Sequence, residues 1–104
     1  MTKAFTKTAN DSTATVHVNE EFMIELEENP STGYCWEIAA SAEIKIISSD
    51  FLLHNTSAIG GGGLHRFVLK TELPGNFHLE VRLRRRWEDE NLYIDRFEID
   101  IHAK

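Results

Sequence analysis

Apolar and polar residues alternate with period two over much of this chain, the pattern of extended strands that bury one face and wet the other. Thr13 to Val18 sets Ala14, Val16 and Val18 against Thr13, Thr15 and His17. Glu21 to Glu27 turns Phe22, Ile24 and Leu26 inward and Met23, Glu25 and Glu27 outward. Tyr34 to Ala39 places Tyr34, Trp36 and Ile38 on one face, with Trp36 as a core anchor, and Cys35 and Glu37 on the other. Ile44 to Ile47 and Phe51 to Leu53 are brief apolar runs, each compatible with a strand or a helical turn by periodicity alone; the first is assigned as a strand. Leu64 to Thr71 is extended, and Leu73-Pro74-Gly75-Asn76 is a strong turn signal. The clearest alternation follows it, with Phe77, Leu79, Val81 and Leu83 set against His78, Glu80, Arg82 and Arg84. A final strand from Leu92 to His102 carries Phe97, Ile99 and Ile101 inward. With no convincing amphipathic helix, the pattern predicts an all-β protein, an immunoglobulin-like antiparallel β-sandwich of about 7 strands. Met1 to Asp11 is polar and is expected to be a loose N-terminal arm.

Composition narrows what such a sandwich does. At 104 residues the chain is expected to form a single domain, residues 1–104, and 41% hydrophobic content suffices for a core. A net charge of −6 argues against nucleic acid, whose binding rests on Lys and Arg displacing counterions from phosphates. Arg82, Arg84 and Arg86 are followed at once by Glu88, Asp89 and Glu90, which makes a mutually paired, solvated loop the better reading of that charge. Cys35 is the sole cysteine, so no internal disulfide forms. With no apolar leader segment and no membrane-length apolar run, a cytoplasmic protein without a membrane partner is expected. Catalysis is not expected, because Cys35 lies in a strand between Tyr34 and Trp36 rather than at a helix N-terminus or beside a positioned imidazole. The five histidines are too dispersed for ligand spacing, so neither metal nor cofactor is expected.

Three loops interrupt the strands. In Asn29-Pro30-Ser31-Thr32-Gly33-Tyr34, Pro30 fixes its own φ and biases Asn29 toward extended structure, while Gly33 admits a positive φ that Thr32 would resist. Asn29, Ser31 and Thr32 each offer side-chain hydrogen bonds to nearby backbone, so the loop is stiff. Gly60-Gly61-Gly62-Gly63 permits close backbone approach or simply a flexible tip. Arg84 to Asn91 is a charged loop holding Arg85, Arg86 and Trp87. Alternating strand directions allow all three to fall at one end.

This order of a rigid Asn-Pro-Ser-Thr-Gly-aromatic loop, a glycine loop and an Arg-x-Trp loop resembles the chagasin family of protein inhibitors of papain-like cysteine proteases. The resemblance covers most of the chain and departs at Arg86, where the family commonly has Pro. It implies tight, reversible, non-covalent inhibition by a monomer whose three loops wedge into a protease's active-site cleft. Protease-binding residues would be Asn29, Pro30, Ser31, Thr32, Gly33, Tyr34, Gly60, Gly61, Gly62, Gly63, Arg85, Arg86 and Trp87. In that arrangement Ser31 and Thr32 lie over the enzyme's catalytic Cys-His pair, the glycines approach one side of the cleft, and Trp87 packs on an aromatic surface at the other. An immunoglobulin-like adhesion or scaffold module using the same loops is the alternative, since fold alone does not fix function.

Overall fold

The computed structural model describes residues 3–41, 43–53, 62–89 and 91–104. Its strands are β1 (Lys3–Phe5), β2 (Ser12–Val16), β3 (Phe22–Glu28), β4 (Cys35–Ala40), β5 (Ile44–Leu53), β6 (Gly63–Thr71), β7 (Gly75–Arg84) and β8 (Asp95–Ala103). They form two four-stranded sheets, ordered β1-β3-β6-β5 and β2-β8-β7-β4. With β2 set aside, this is the order of an immunoglobulin sandwich, in which the first, second, fifth and fourth strands make one sheet and the remaining three the other.

The inward residues of the alternating strands meet between the sheets. Phe22, Ile24 and Leu26 of β3 and Phe67 and Leu69 of β6 lie in a common buried cluster with Leu79 and Val81 of β7 and Phe97, Ile99 and Ile101 of β8. Trp36 and Ile44 join it from β4 and β5, with Val16 of β2 and Ala103 of β8. Each such large side chain removed from water stabilises the fold by about 1.5–3 kcal/mol before entropy is counted.

Two edges depart from the expected all-antiparallel pairing. The inner pairs β3–β6, β5–β6, β4–β7 and β7–β8 are antiparallel, but β1 runs parallel to β3 and β2 parallel to β8. The cause is the N-terminal segment, expected to be a loose arm, which changes sheets at a short 3-10 turn, Lys7–Ala9. It is tied down by backbone and side-chain bonds to β8, with Asp11 N–H donating to the Glu98 carbonyl at 2.7 Å and Glu98 N–H to Asn10 Oδ1 at 2.8 Å. Ile44 to Ile47 and Phe51 to Leu53 prove to be one ten-residue strand, β5, whose register shifts between Ile46 and Ser48. Leu92, Tyr93 and Ile94, placed by their apolarity in the last strand, instead precede β8 and are exposed.

Strand direction sets the site. β3, β5 and β7 end, and β4, β6 and β8 begin, at the same end of the sandwich. The register fixes this, since Glu28 pairs with Gly63, Leu53 with Gly63, Cys35 with Arg84 and Leu83 with Asp95.

Candidate functional site

The β3–β4 connection is a self-closed turn. Pro30–Thr32 forms a 3-10 turn whose Thr32 N–H donates to the Asn29 carbonyl at 3.2 Å. Asn29 Oδ1 accepts from both Ser31 N–H (3.1 Å) and Ser31 Oγ (2.7 Å). Thr32 Oγ1 donates to the Asn29 carbonyl at 2.8 Å and accepts from Tyr34 N–H at 3.3 Å. The loop therefore spends its polar side chains on its own backbone while Ser31 and Thr32 remain exposed. Gly33 has φ +81°, the left-handed conformation its position demanded.

The β7–β8 connection leans on this turn. Trp87 is 73% exposed, yet its indole covers Gly33 so closely that a Cβ there would lie 2.6 Å from Trp87 Cη2. Between them, the Arg85 guanidinium sits 4.3 Å above the centre of the Tyr34 ring and 5.9 Å from that of Trp87. Glycine at 33 is thus required twice, by its backbone angle and by the ring lying on it.

Arg86, at the position where a proline would stiffen the loop, finds another restraint. Its Nε lies 3.2 Å from Glu37 Oε2, while Arg84 Nη1 lies 3.0 Å from Oε1 of the same carboxylate. Arg86 is largely exposed, so this pair is a weak clamp. Further bracing comes from within the loop, where Arg84 Nη2 donates to the Glu88 carbonyl (2.8 Å) and Ile94 N–H to the Leu83 carbonyl (3.0 Å).

Of the expected site residues, the turn from Asn29 to Tyr34 and the trio Arg85, Arg86 and Trp87 are brought together. Gly63, preceded by Gly62, opens β6 and pairs with Glu28 and Leu53, which places the second loop's exit at the base of the first. Gly60 and Gly61 lie outside the described residues. Gly63 is held within the sheets, where a Cβ would meet the Leu52 carbonyl and the Phe51 ring. Its close backbone approach is therefore to its own fold.

Sequence reasoning missed what lies under the loops. Glu28 is buried, and its Oε1 accepts from Trp36 N–H at 2.6 Å and lies 3.0 Å from His65 Nδ1. His65 Nε2 reaches Ser49 Oγ at 2.6 Å, and the imidazole stacks on Phe67 with ring centres 4.3 Å apart. The signal was available: Glu28 continues the inward phase of Phe22, Ile24 and Leu26, and His65 shares the phase of Phe67 and Leu69.

Cys35 is a poor nucleophile here. Burial raises its thiol pKa, the carboxylates of Glu28 and Glu37 raise it further, and Arg86 opposes them. The shift disfavours the thiolate, the form that covalent chemistry needs.

Residues 15–101 match the family model described as chagasin family peptidase inhibitor I42. Chagasin of Trypanosoma cruzi is 27% identical, with 99% of each chain covered. In three dimensions the chain resembles the cysteine protease inhibitor EhICP2 from Entamoeba histolytica, with a TM-score of 0.86 at 20% identity, covering 98% of this chain and 95% of the other. It also resembles PbICP-C, solved in complex with falcipain-2, with a TM-score of 0.66 at 20% identity over 100% of this chain and 92% of that one.

Proposed function

The chain belongs to the chagasin family of peptidase inhibitors, and from that premise we propose that it inhibits papain-like cysteine proteases by filling their active-site cleft with its three-loop end. The observation that carries the reading is the seating of Trp87 on Gly33, with Arg85 against Tyr34. These contacts fuse the first and third loops into one rigid protrusion, so little conformational entropy remains to be lost on binding. An exposed Trp beside Arg at a pre-organised tip is the side-chain chemistry that dominates protein interfaces.

The residues act by occlusion. Ser31 and Thr32 form the exposed crest that would face the catalytic Cys-His pair. Their hydroxyls are already engaged within the loop. Trp87 stands against the crest at Gly33, and Gly63, where β6 begins, pairs with Glu28 at the foot of the first loop. The complex is held by surface burial and dissociates intact. No observation favours an adhesion or scaffold role for this end.

A titration against a panel of papain-like proteases tests the reading. Stoichiometric, reversible inhibition of at least one member is expected, and failure to inhibit any at micromolar concentration would refute it.

A further inference from the structure

Taking the loop end as the protease-contacting surface, we propose that Glu28 and His65 are positioning residues that tie the stems of the first loop to the strands β5 and β6, between which the second loop runs. Glu28 ends β3 one residue before Asn29, and Trp36 stands second in β4, so the Trp36 N–H bond to Glu28 Oε1 closes the base of the first loop. The same oxygen meets His65 Nδ1, two residues beyond Gly63, where the second loop enters β6. The other imidazole nitrogen meets Ser49 Oγ on β5, the strand that leads into the second loop. One hydrogen-bonded chain therefore touches both stems of the first loop and both strands that flank the second. It also joins the two sheets, because β4 belongs to the sheet opposite β3, β5 and β6.

The chemistry suits placement. An apolar residue continuing the phase of Phe22, Ile24 and Leu26 would fill this site with non-directional contacts; a buried carboxylate fixes distance and angle. The Glu28 oxygen that accepts from Trp36 N–H faces Nδ1, and the Ser49 hydroxyl faces Nε2, so both ring nitrogens have a polar partner. Stacking on Phe67 holds the imidazole plane in line with both partners. Without the Glu28 acceptor, the Trp36 N–H and the imidazole Nδ1 both lose their partner in a buried site, and the strand ends carrying the loops move to find new ones.

The test compares Glu28→Leu, Glu28→Gln, His65→Leu and Ile101→Ala, the last a core change toward the far end of the sandwich. Stability is followed by urea unfolding, Ki on a protease that the parent inhibits, and amide exchange by NMR. Glu28→Leu should raise Ki by roughly tenfold or more, while Glu28→Gln, which keeps an acceptor oxygen, should return it to within about threefold of the parent. Ile101→Ala should lose stability with Ki nearly unchanged. Trp36 amide exchange should quicken in Glu28→Leu and stay protected in Glu28→Gln, a result that needs no protease. If Glu28→Leu does not fold, His65→Leu carries the test: Ki should rise while the Trp36 amide remains protected. Unchanged Trp36 exchange in Glu28→Leu, or parental Ki in Glu28→Leu or His65→Leu while Trp87→Ala weakens binding, would overturn the positioning role and leave the inhibitor reading intact. Absence of inhibition by the parent would instead remove the inhibitor reading, with the exchange result still deciding what Glu28 holds.

Discussion

Replacing Gly33 with Ala perturbs the site in two separable ways. At φ +81° an L side chain is strained, at a cost of roughly 1–2 kcal/mol. The new Cβ would also lie 2.6 Å from Trp87 Cη2, so the indole must leave its seat. Because Trp87 is 73% exposed, moving it costs the fold little, and the total loss of stability should not exceed about 2 kcal/mol. Binding should suffer more. Both the crest and its flanking indole are displaced, and a loss of about 2 kcal/mol, near thirtyfold in Ki, is expected. A double-mutant cycle separates the contributions. With Trp87 already Ala, the collision is gone and only the backbone strain remains, so the effects of Gly33→Ala and Trp87→Ala on Ki should be non-additive by about 1 kcal/mol or more. Urea unfolding and Ki on the four proteins supply the numbers. Additivity within about 0.5 kcal/mol would show that Gly33 and Trp87 act independently and that the fused protrusion is wrong.

Trp87→Ala should change folding stability by less than about 1 kcal/mol, whereas Trp36→Ala, at a residue 3% exposed, should cost about 3 kcal/mol or more; denaturant unfolding of both checks this. Cys35→Ser should inhibit like the parent, and the mass of the parent's complex after denaturation should show no adduct on Cys35; an adduct would contradict non-covalent occlusion. His78, on the outer face of β7, has its pKa raised chiefly by its hydrogen bond to Asp100, 2.8 Å away. The folded state therefore favours its protonated form, so the contribution is complete below the ordinary value of about 6.5 and is lost as pH rises through the higher folded value. The pair is half-exposed and its effect small, but the parent should lose more stability between about pH 6 and 8 than Asp100→Asn does; equal losses would contradict the linkage.

The inner strands were legible because their cause is local: each inward residue of β7 and β8 is two positions from the next, and burial of one face enforces the phase. The edges were not. β1 offers three residues with only Phe5 partly buried, and its place depends on backbone pairing with Phe22 to Ile24. β5 is interrupted in sequence by Ser48, Ser49 and Asp50, polar residues on an edge strand whose bulge shifts the phase, so its apolar ends looked separate. Leu92 to Ile94 misled in the opposite sense, since hydrophobicity does not say whether a side chain is covered.

Within the site, the turn chemistry of Asn29 to Gly33 was readable because each bond runs between residues two or three apart. The covering of Gly33 by Trp87 was not, because it arises from the Cys35–Arg84 register that sets the first and third loops side by side. Glu28 and His65 lay in the inward phase of neighbouring strands, but only their cross-strand placement makes them partners.

The most direct test of cleft occlusion is the steady-state inhibition pattern on a papain-like protease that the protein inhibits, measured over a range of substrate concentrations. Competitive inhibition is predicted, with the apparent Ki rising linearly with substrate and activity returning fully on dilution; inhibition unaffected by substrate concentration would place the protein elsewhere on the enzyme and contradict the account.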